Sequence, residues 1–193
     1  MSKRSKWVAI AIVGAAAFSL SGCKEEEVDA AAFPDLQSCK DQALQGGMFS
    51  AQDCEIHFAE AQALHVEAAP RYDSVEVCEE LHGEGACGTE ATAREGGSGS
   101  IFMPLLAGYL VGNMLSGRAG TSAAQPLYKT KDGRFTNAAR SSTFSNNRGA
   151  TKLSTSQFAR PATTLGKQPM SRATAISRSG FGKSGSDRSK FGG

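Results

Sequence analysis

Cysteine and histidine are the residues best placed to do chemistry in this chain of 193 residues, which holds 5 Cys and 3 His. Cys39, Cys54, Cys78 and Cys87 fall within one acidic stretch. Cys54 and His57 lie three apart, and Cys78 and His82 lie four apart, so on helices each pair shares a face. Two such pairs would supply two sulfurs and two nitrogens for tetrahedral zinc. The same four cysteines also form an even set that could close two disulfides. Compartment decides between these chemistries.

The fifth cysteine bears on compartment. Lys3, Arg4 and Lys6 precede Trp7 to Leu20, an almost wholly apolar run of about 14 residues. That is the layout of a secretory signal peptide and is too short for an ordinary membrane span. It ends in Leu20-Ser21-Gly22-Cys23, which resembles a bacterial lipobox. The motif implies acylation of the Cys23 thiol, cleavage before it, and stable anchoring once further chains are added. Export would place the other cysteines where disulfides persist, and zinc would leave Cys39 and Cys87 over, so disulfides are expected and no metal. By resemblance to bacterial lipoproteins in which Asp after the acylated Cys retains the protein in the inner membrane, Lys24 at that position implies the outer membrane.

The region 33–90 repeats weakly within itself. Phe33 to Cys39 parallels Tyr72 to Cys78, with an aromatic first and an aliphatic residue three before each Cys. Equivalent units would pair Cys39 with Cys54 and Cys78 with Cys87, and the other two connectivities stay open. Asp35 can cap a helix stopping at Gly46-Gly47, and Ser50 a longer one ending before Pro70. Asp73 with Glu76 suggests a capping box for a third, which stops at Gly83. Closing the Cys39–Cys54 loop would stabilise so small a core by roughly 3 kcal/mol. His65 reads as an exposed helix residue.

Charge divides the chain sharply. Residues 24–95 hold 17 acidic against 4 basic side chains, and residues 96–193 hold 2 against 14. The expected organisation is a signal peptide at 1–22, an acidic linker at 23–32 and a four-cysteine helical module at 33–90. A Gly/Ser hinge at 91–100, an apolar segment at 101–117 and a basic, low-complexity, disordered tail at 118–193 follow. In the apolar segment Gly108, Gly112, Ser116 and Gly120 recur every four residues. On a helix they would form a flat contact ridge lying on a membrane, meeting another helix, or packing on the acidic module. Fifteen residues give about 22 Å of helix against roughly 30 Å of hydrocarbon, which disfavours a span. The fold expected is small and mostly α.

No nucleophile–base pair, phosphate-cradling loop or paired-carboxylate motif is present, so the chain reads as non-enzymatic and without a cofactor. The basic tail with isolated Phe residues has a composition that can bind RNA. The lipobox removes nucleic acid as a partner and leaves lipid headgroups, anionic envelope polymers, an envelope protein, or the chain's own acidic half.

Gly97 to Gly112 (GSGSIFMPLLAGYLVG), Gln125-Pro126-Leu127-Tyr128, the Cys78–Cys87 segment with Gly83-Glu84-Gly85, and the Gly180-Phe181-Gly182 element resemble the YgiB family of uncharacterised bacterial lipoproteins. The resemblance covers most of the chain after Cys23 and implies no agreed catalytic residue. Members are often encoded beside ATP-grasp proteins similar to glutathionylspermidine synthases. That implies a competing role, an accessory factor in polyamine or thiol metabolism or stress response, with redox-active or zinc-binding cysteines.

Overall fold

The computed structural model describes residues 26–113 and 123–179, with side chains given through Ser177. Cys23 and the signal segment, Ser116, Gly120 and the Gly-Phe-Gly element lie outside the described residues.

Two helices follow a strand at the start. β1 (Glu27–Phe33) leads into α1 (Leu36–Leu44) and α2 (Ala51–Ala68). Asp35 accepts from the Ser38 N–H at the start of α1. Ser50 and Asp53 form a reciprocal capping box on α2, so both starts satisfy backbone donors that would otherwise be orphaned. α3 (Val75–His82) is capped by Ser74, one residue later than the Asp73 box expected, and stops at Gly83. The small elements β2 (Cys87–Thr89), α4 (Glu90–Ala93) and β3 (Phe102–Pro104) come next, then β4 (Gly108–Gly112).

The mostly-α expectation is overturned by the remainder. β5 (Ala124–Lys129), β6 (Phe135–Asn137), β7 (Thr143–Phe144) and β8 (Gly149–Ser154) join β1 and β4 in a curled six-stranded antiparallel sheet ordered β7-β6-β5-β4-β1-β8. A 3-10 turn (Thr155–Phe158) and α5 (Arg172–Ser179) complete it. Residues 27–32, read as linker, are a central strand paired on both sides. Ala30, Ala31 and Ala32 are buried, as suits a strand covered on both faces.

Two layers sandwich the sheet. Ala31, Phe33, Tyr109, Val111 and Ala124 face α1 and α2, meeting Cys39, Cys54, Phe49 and Ala61. Ala30, Ala32, Leu110 and Leu127 face the other way and pack on Phe158. β2 and β3 pair separately, with Gly88 opposite Met103, beside α3 and α5. Phe102 also bridges Tyr72, which bridges Met170 in turn.

The apolar segment is therefore strand rather than ridge-bearing helix, and the reason is geometric. Small residues four apart share a face in a helix, but they also share a face in a strand, whose period is two. Gly108 has φ +146°, and a Cβ there would stand 2.7 Å from the Phe33 carbonyl oxygen. At Gly112 a Cβ would stand 2.8 Å from the Phe158 ring, which is fully buried. These glycines admit close neighbours within the sheet. Among the described residues no helix is long and apolar enough to cross a membrane.

The basic half also folds. Its few large apolar residues need not build a core alone, because β5 extends an edge opened by β4 and β8 extends one opened by β1. Acidic and basic halves thus meet inside one sheet. Arg160 and Glu67 approach to 2.6 Å, Arg172 and Glu80 to 2.9 Å, and Lys152 and Asp29 to 3.7 Å. Pairs this exposed contribute at most about 1 kcal/mol each, so burial rather than charge carries the association.

Replacing Gly112 with Ala should cost about 1–3 kcal/mol in chemical denaturation, because the new methyl meets a ring with no room to retreat. Adding Phe158→Leu to that variant should recover part of the loss. Full additivity of the two substitutions would count against the contact.

Candidate functional site

The structure pairs the cysteines as Cys39–Cys54 and Cys78–Cys87, with Cα separations of 5.8 and 6.2 Å. The first bridge ties α1 to α2 beneath the sheet, and the second ties α3 to β2. Cys39, Cys54 and Cys78 are buried. The zinc arrangement is not assembled. Its two sulfurs, of Cys54 and Cys78, are bonded to Cys39 and Cys87 instead, and no group of three or more His, Cys, Asp or Glu fit to hold a metal occurs among the described residues.

The histidines serve other purposes. His57 packs edge-on to Phe49 with Nδ1 3.7 Å from Glu60. His65, expected to be exposed, lies half-buried against Tyr128, its Nδ1 3.3 Å from the hydroxyl. His82 is fully buried between Lys129 and Tyr72. A carbonyl oxygen only accepts, so Nδ1 donates to the Lys129 carbonyl at 2.8 Å, and Nε2 accepts from the Tyr72 hydroxyl at 2.9 Å. Burial pushes His65 down to about 4, helped by the Arg71 charge. Burial also brings His82 to about 4, against the Lys129 hydrogen bond and aided by Arg140. Both rings are neutral at physiological pH.

Sequence inspection missed Arg71, the residue at the centre of the buried polar network. Pro70 ends α2 and turns the chain inward, so the guanidinium enters the protein directly after the helix. Its Nε donates to Glu90 at 3.1 Å, Nη2 to the Val66 carbonyl at 2.7 Å, and Nη1 to the Ala69 carbonyl and to the Thr164 hydroxyl. Glu90 is almost wholly buried and also accepts from Arg94 and from the Ser98 backbone, each at 3.1 Å. Burial alone would raise the Glu90 carboxyl, but the Ser98 N–H, Arg94 and Arg71 outweigh it and hold the group ionised below its usual range. The supposed hinge is part of this arrangement. A Cβ on Gly97 would meet the Glu90 carbonyl at 2.4 Å, so only glycine lets the loop wrap around the carboxylate. The available signal was one arginine following a helix-ending proline in a strongly acidic stretch.

Beside this network opens a cleft of about 590 Å³, within the usual range for small-molecule sites. Pro70, Ala138, Ala139, Pro161, Ala162 and Met170 make its apolar walls; Arg71, Arg140 and Lys167 supply charge, and among the described residues no Asp or Glu lines it. Arg140 has φ 55°, the only positive φ at a non-glycine among the described residues. Left-handed backbone at such a residue costs on the order of 1 kcal/mol or more. The surrounding turn enforces it. The Arg140 N–H donates to the Asn137 carbonyl at 2.9 Å, while the buried Asn137 amide exchanges hydrogen bonds with Ser141. Among the described residues neither Arg140 nor Lys167 forms an ion pair with a carboxylate.

Arg71→Met should destabilise the fold by about 3–5 kcal/mol, since it strips a buried carboxylate of one cation. Adding Glu90→Gln should cost less than the sum of the single changes, and a double-mutant cycle in urea measures that coupling. The histidines predict an acid effect of definite sign. The unfolded chain protonates His65 and His82 below pH 6.5, whereas the fold resists until about pH 4. Stability should therefore fall on acidification across that window, by up to about 1.4 kcal/mol per pH unit for each ring. In His82→Gln the urea midpoint should start lower at pH 7 and then depend less steeply on pH.

Comparison with known proteins places the chain in a family. A family of proteins described as being of unknown function (DUF1190) matches residues 27–192. A UPF0441 protein of Klebsiella pneumoniae is 29% identical, the alignment covering 95% of this chain and 85% of that protein. UPF0441 proteins of Yersinia pseudotuberculosis and Erwinia tasmaniensis are also 29% identical, covering 79% and 85% of their own lengths. No solved structure matches the chain. The match spans both disulfides, every strand of the sheet and the whole cleft, and the chain belongs to the DUF1190 family.

Proposed function

We propose that this protein is a lipid-anchored, non-enzymatic binding domain of the bacterial cell envelope, attached through Cys23 and favouring the outer membrane. The observation that carries the reading is the division of labour among the five cysteines. Four are consumed in two bridges within the fold, which suits an oxidising compartment, and the fifth stands in the Leu20-Ser21-Gly22-Cys23 motif.

A binding role is favoured over catalysis by what the buried titratable groups are doing. His65, His82 and Glu90 are each held by neighbours in one protonation state, whereas a general acid or base needs a pKa near the working pH. The cleft is the natural place for recognition, because two of its cations, Arg140 and Lys167, pair with no carboxylate among the described residues. Accessory action through exchanging thiols is disfavoured by the burial of Cys39, Cys54 and Cys78, which leaves only Cys87 partly exposed, since exchange needs an accessible thiolate.

Expression of the full chain in a bacterial host fed radiolabelled palmitate tests the anchor. The wild type should incorporate label and sediment with membranes, and Cys23→Ala should do neither. Alkylation of the unreduced protein should modify none of Cys39, Cys54, Cys78 or Cys87. A labelled cysteine at any of these positions would instead favour the thiol-exchange role.

A further inference from the structure

We propose that the cleft beside Arg140 binds a small amphipathic anion, with a carboxylate or phosphate held by Arg140 and Lys167 and a short apolar body lying on Pro70, Pro161 and Met170. This deepens the reading of the protein as an envelope binding domain. It rests on that reading for where the ligand is met, while the contacts themselves do not involve Cys23.

Three independent features of the cleft converge on this ligand class. Charge comes first: among the described residues three cations and no carboxylate line the cavity, in a chain carrying 19 acidic side chains. The Arg71 charge is largely answered by Glu90, which leaves Arg140 and Lys167 to face an incoming anion. A guanidinium matches carboxylate or phosphate through paired hydrogen bonds, and partly desolvated pairs of this kind are the strong ones.

Backbone conformation is the second feature. The 137–141 turn holds Arg140 in a left-handed conformation that glycine or asparagine would adopt more easily. A long charged side chain at this point is a stability cost set directly at the cleft. Strain of that kind concentrates where a fold positions a recognition group.

Shape is the third. The walls are proline, alanine and methionine, which fit a compact aliphatic body. Among the described residues no Phe, Tyr or Trp lines the cavity, so a nucleobase would find no stacking face there. Tyr72 and His82 are bonded to each other and feel the Arg140 charge, yet both are neutral and offer the anion no repulsion.

The test titrates the full-length protein in nonionic detergent with three probes, following amide NMR signals of Ala138, Ala139 and Lys167. The probes are N-acetyl-alanyl-alanine, its C-terminal amide, and butyl phosphate. The two anions should bind with dissociation constants near about 1 mM, and the amide at least about tenfold more weakly. A tenfold preference for the carboxylate would identify a peptide terminus as the source, and the reverse a phosphorylated group. Arg140→Asn tolerates the turn, so its melting temperature should not fall, yet anion affinity should drop at least about tenfold. Arg140→Lys should restore part of it. Equal binding of acid and amide, wild-type affinity in Arg140→Asn, or no shift up to about 10 mM would overturn the site. Cys23→Ala should bind the anions as the wild type does, so failure of the palmitate experiment with binding retained removes the anchor and leaves the cleft.

Discussion

A single buried guanidinium joins segments of this protein that lie far apart in sequence. Arg71 leaves α2 and contacts the carbonyls of that helix's last turn, the carboxylate on α4 and the hydroxyl of Thr164. A buried arginine without partners would cost several kcal/mol, so the surrounding chain is constrained to deliver them. The Gly97 loop must close over Glu90, and the segment around residue 164 must return to the end of α2. Arg71 also borders the cleft, so the network that joins these segments sets the cavity's walls.

The sheet follows a different constraint, which is closeness. β1 contributes three consecutive alanines, and β4 contributes glycines where the Phe33 backbone and the Phe158 ring press in. Small residues at the centre draw two covering layers near. Larger groups then fill the remaining volume: Tyr109 of β4 with Phe58 of α2 on one side, Phe158 on the other. The two disulfides act locally within this arrangement, each joining elements adjacent in sequence. They limit the unfolded chain but do not bring the two halves together.

The halves differ in charge by design of sequence, and their union produces the functional surface. Most basic groups of the second half either face solvent or meet an acidic neighbour such as Glu67 or Glu80. Arg140 and Lys167 pair with no carboxylate among the described residues, and both line a cavity with apolar walls. Tyr72 and His82, which feel the Arg140 charge, are neutral and bonded to each other. Recognition of an anion therefore needs no proton transfer and no metal ligand from the protein, only a charge held still by a strained turn.

Local signals in the sequence were read correctly because they act over a few residues. Asp35 and Ser50 start helices by bonding backbone N–H groups three residues on, and the paired repeat around Cys39 and Cys78 anticipated both bridges. Family membership was also legible, in the run from Gly97 to Gly112 and in Gln125 to Tyr128. What failed had a nonlocal cause. A spacing of four places Gly108 and Gly112 on one face of either a helix or a strand, and only the partner strands β1 and β5 select between them. The basic half is too poor in apolar residues to fold unaided, so its composition resembled disorder until edges supplied by the first half gave its strands something to join. The cleft was the least legible feature, because Pro70, Arg140 and Lys167 come from three distant segments. By itself the sequence determined the caps of α1 and α2 and offered the pairing that the two bridges adopt. Tertiary structure alone decided the sheet and the cationic cleft, since both depend on which distant backbone groups are near enough to bond.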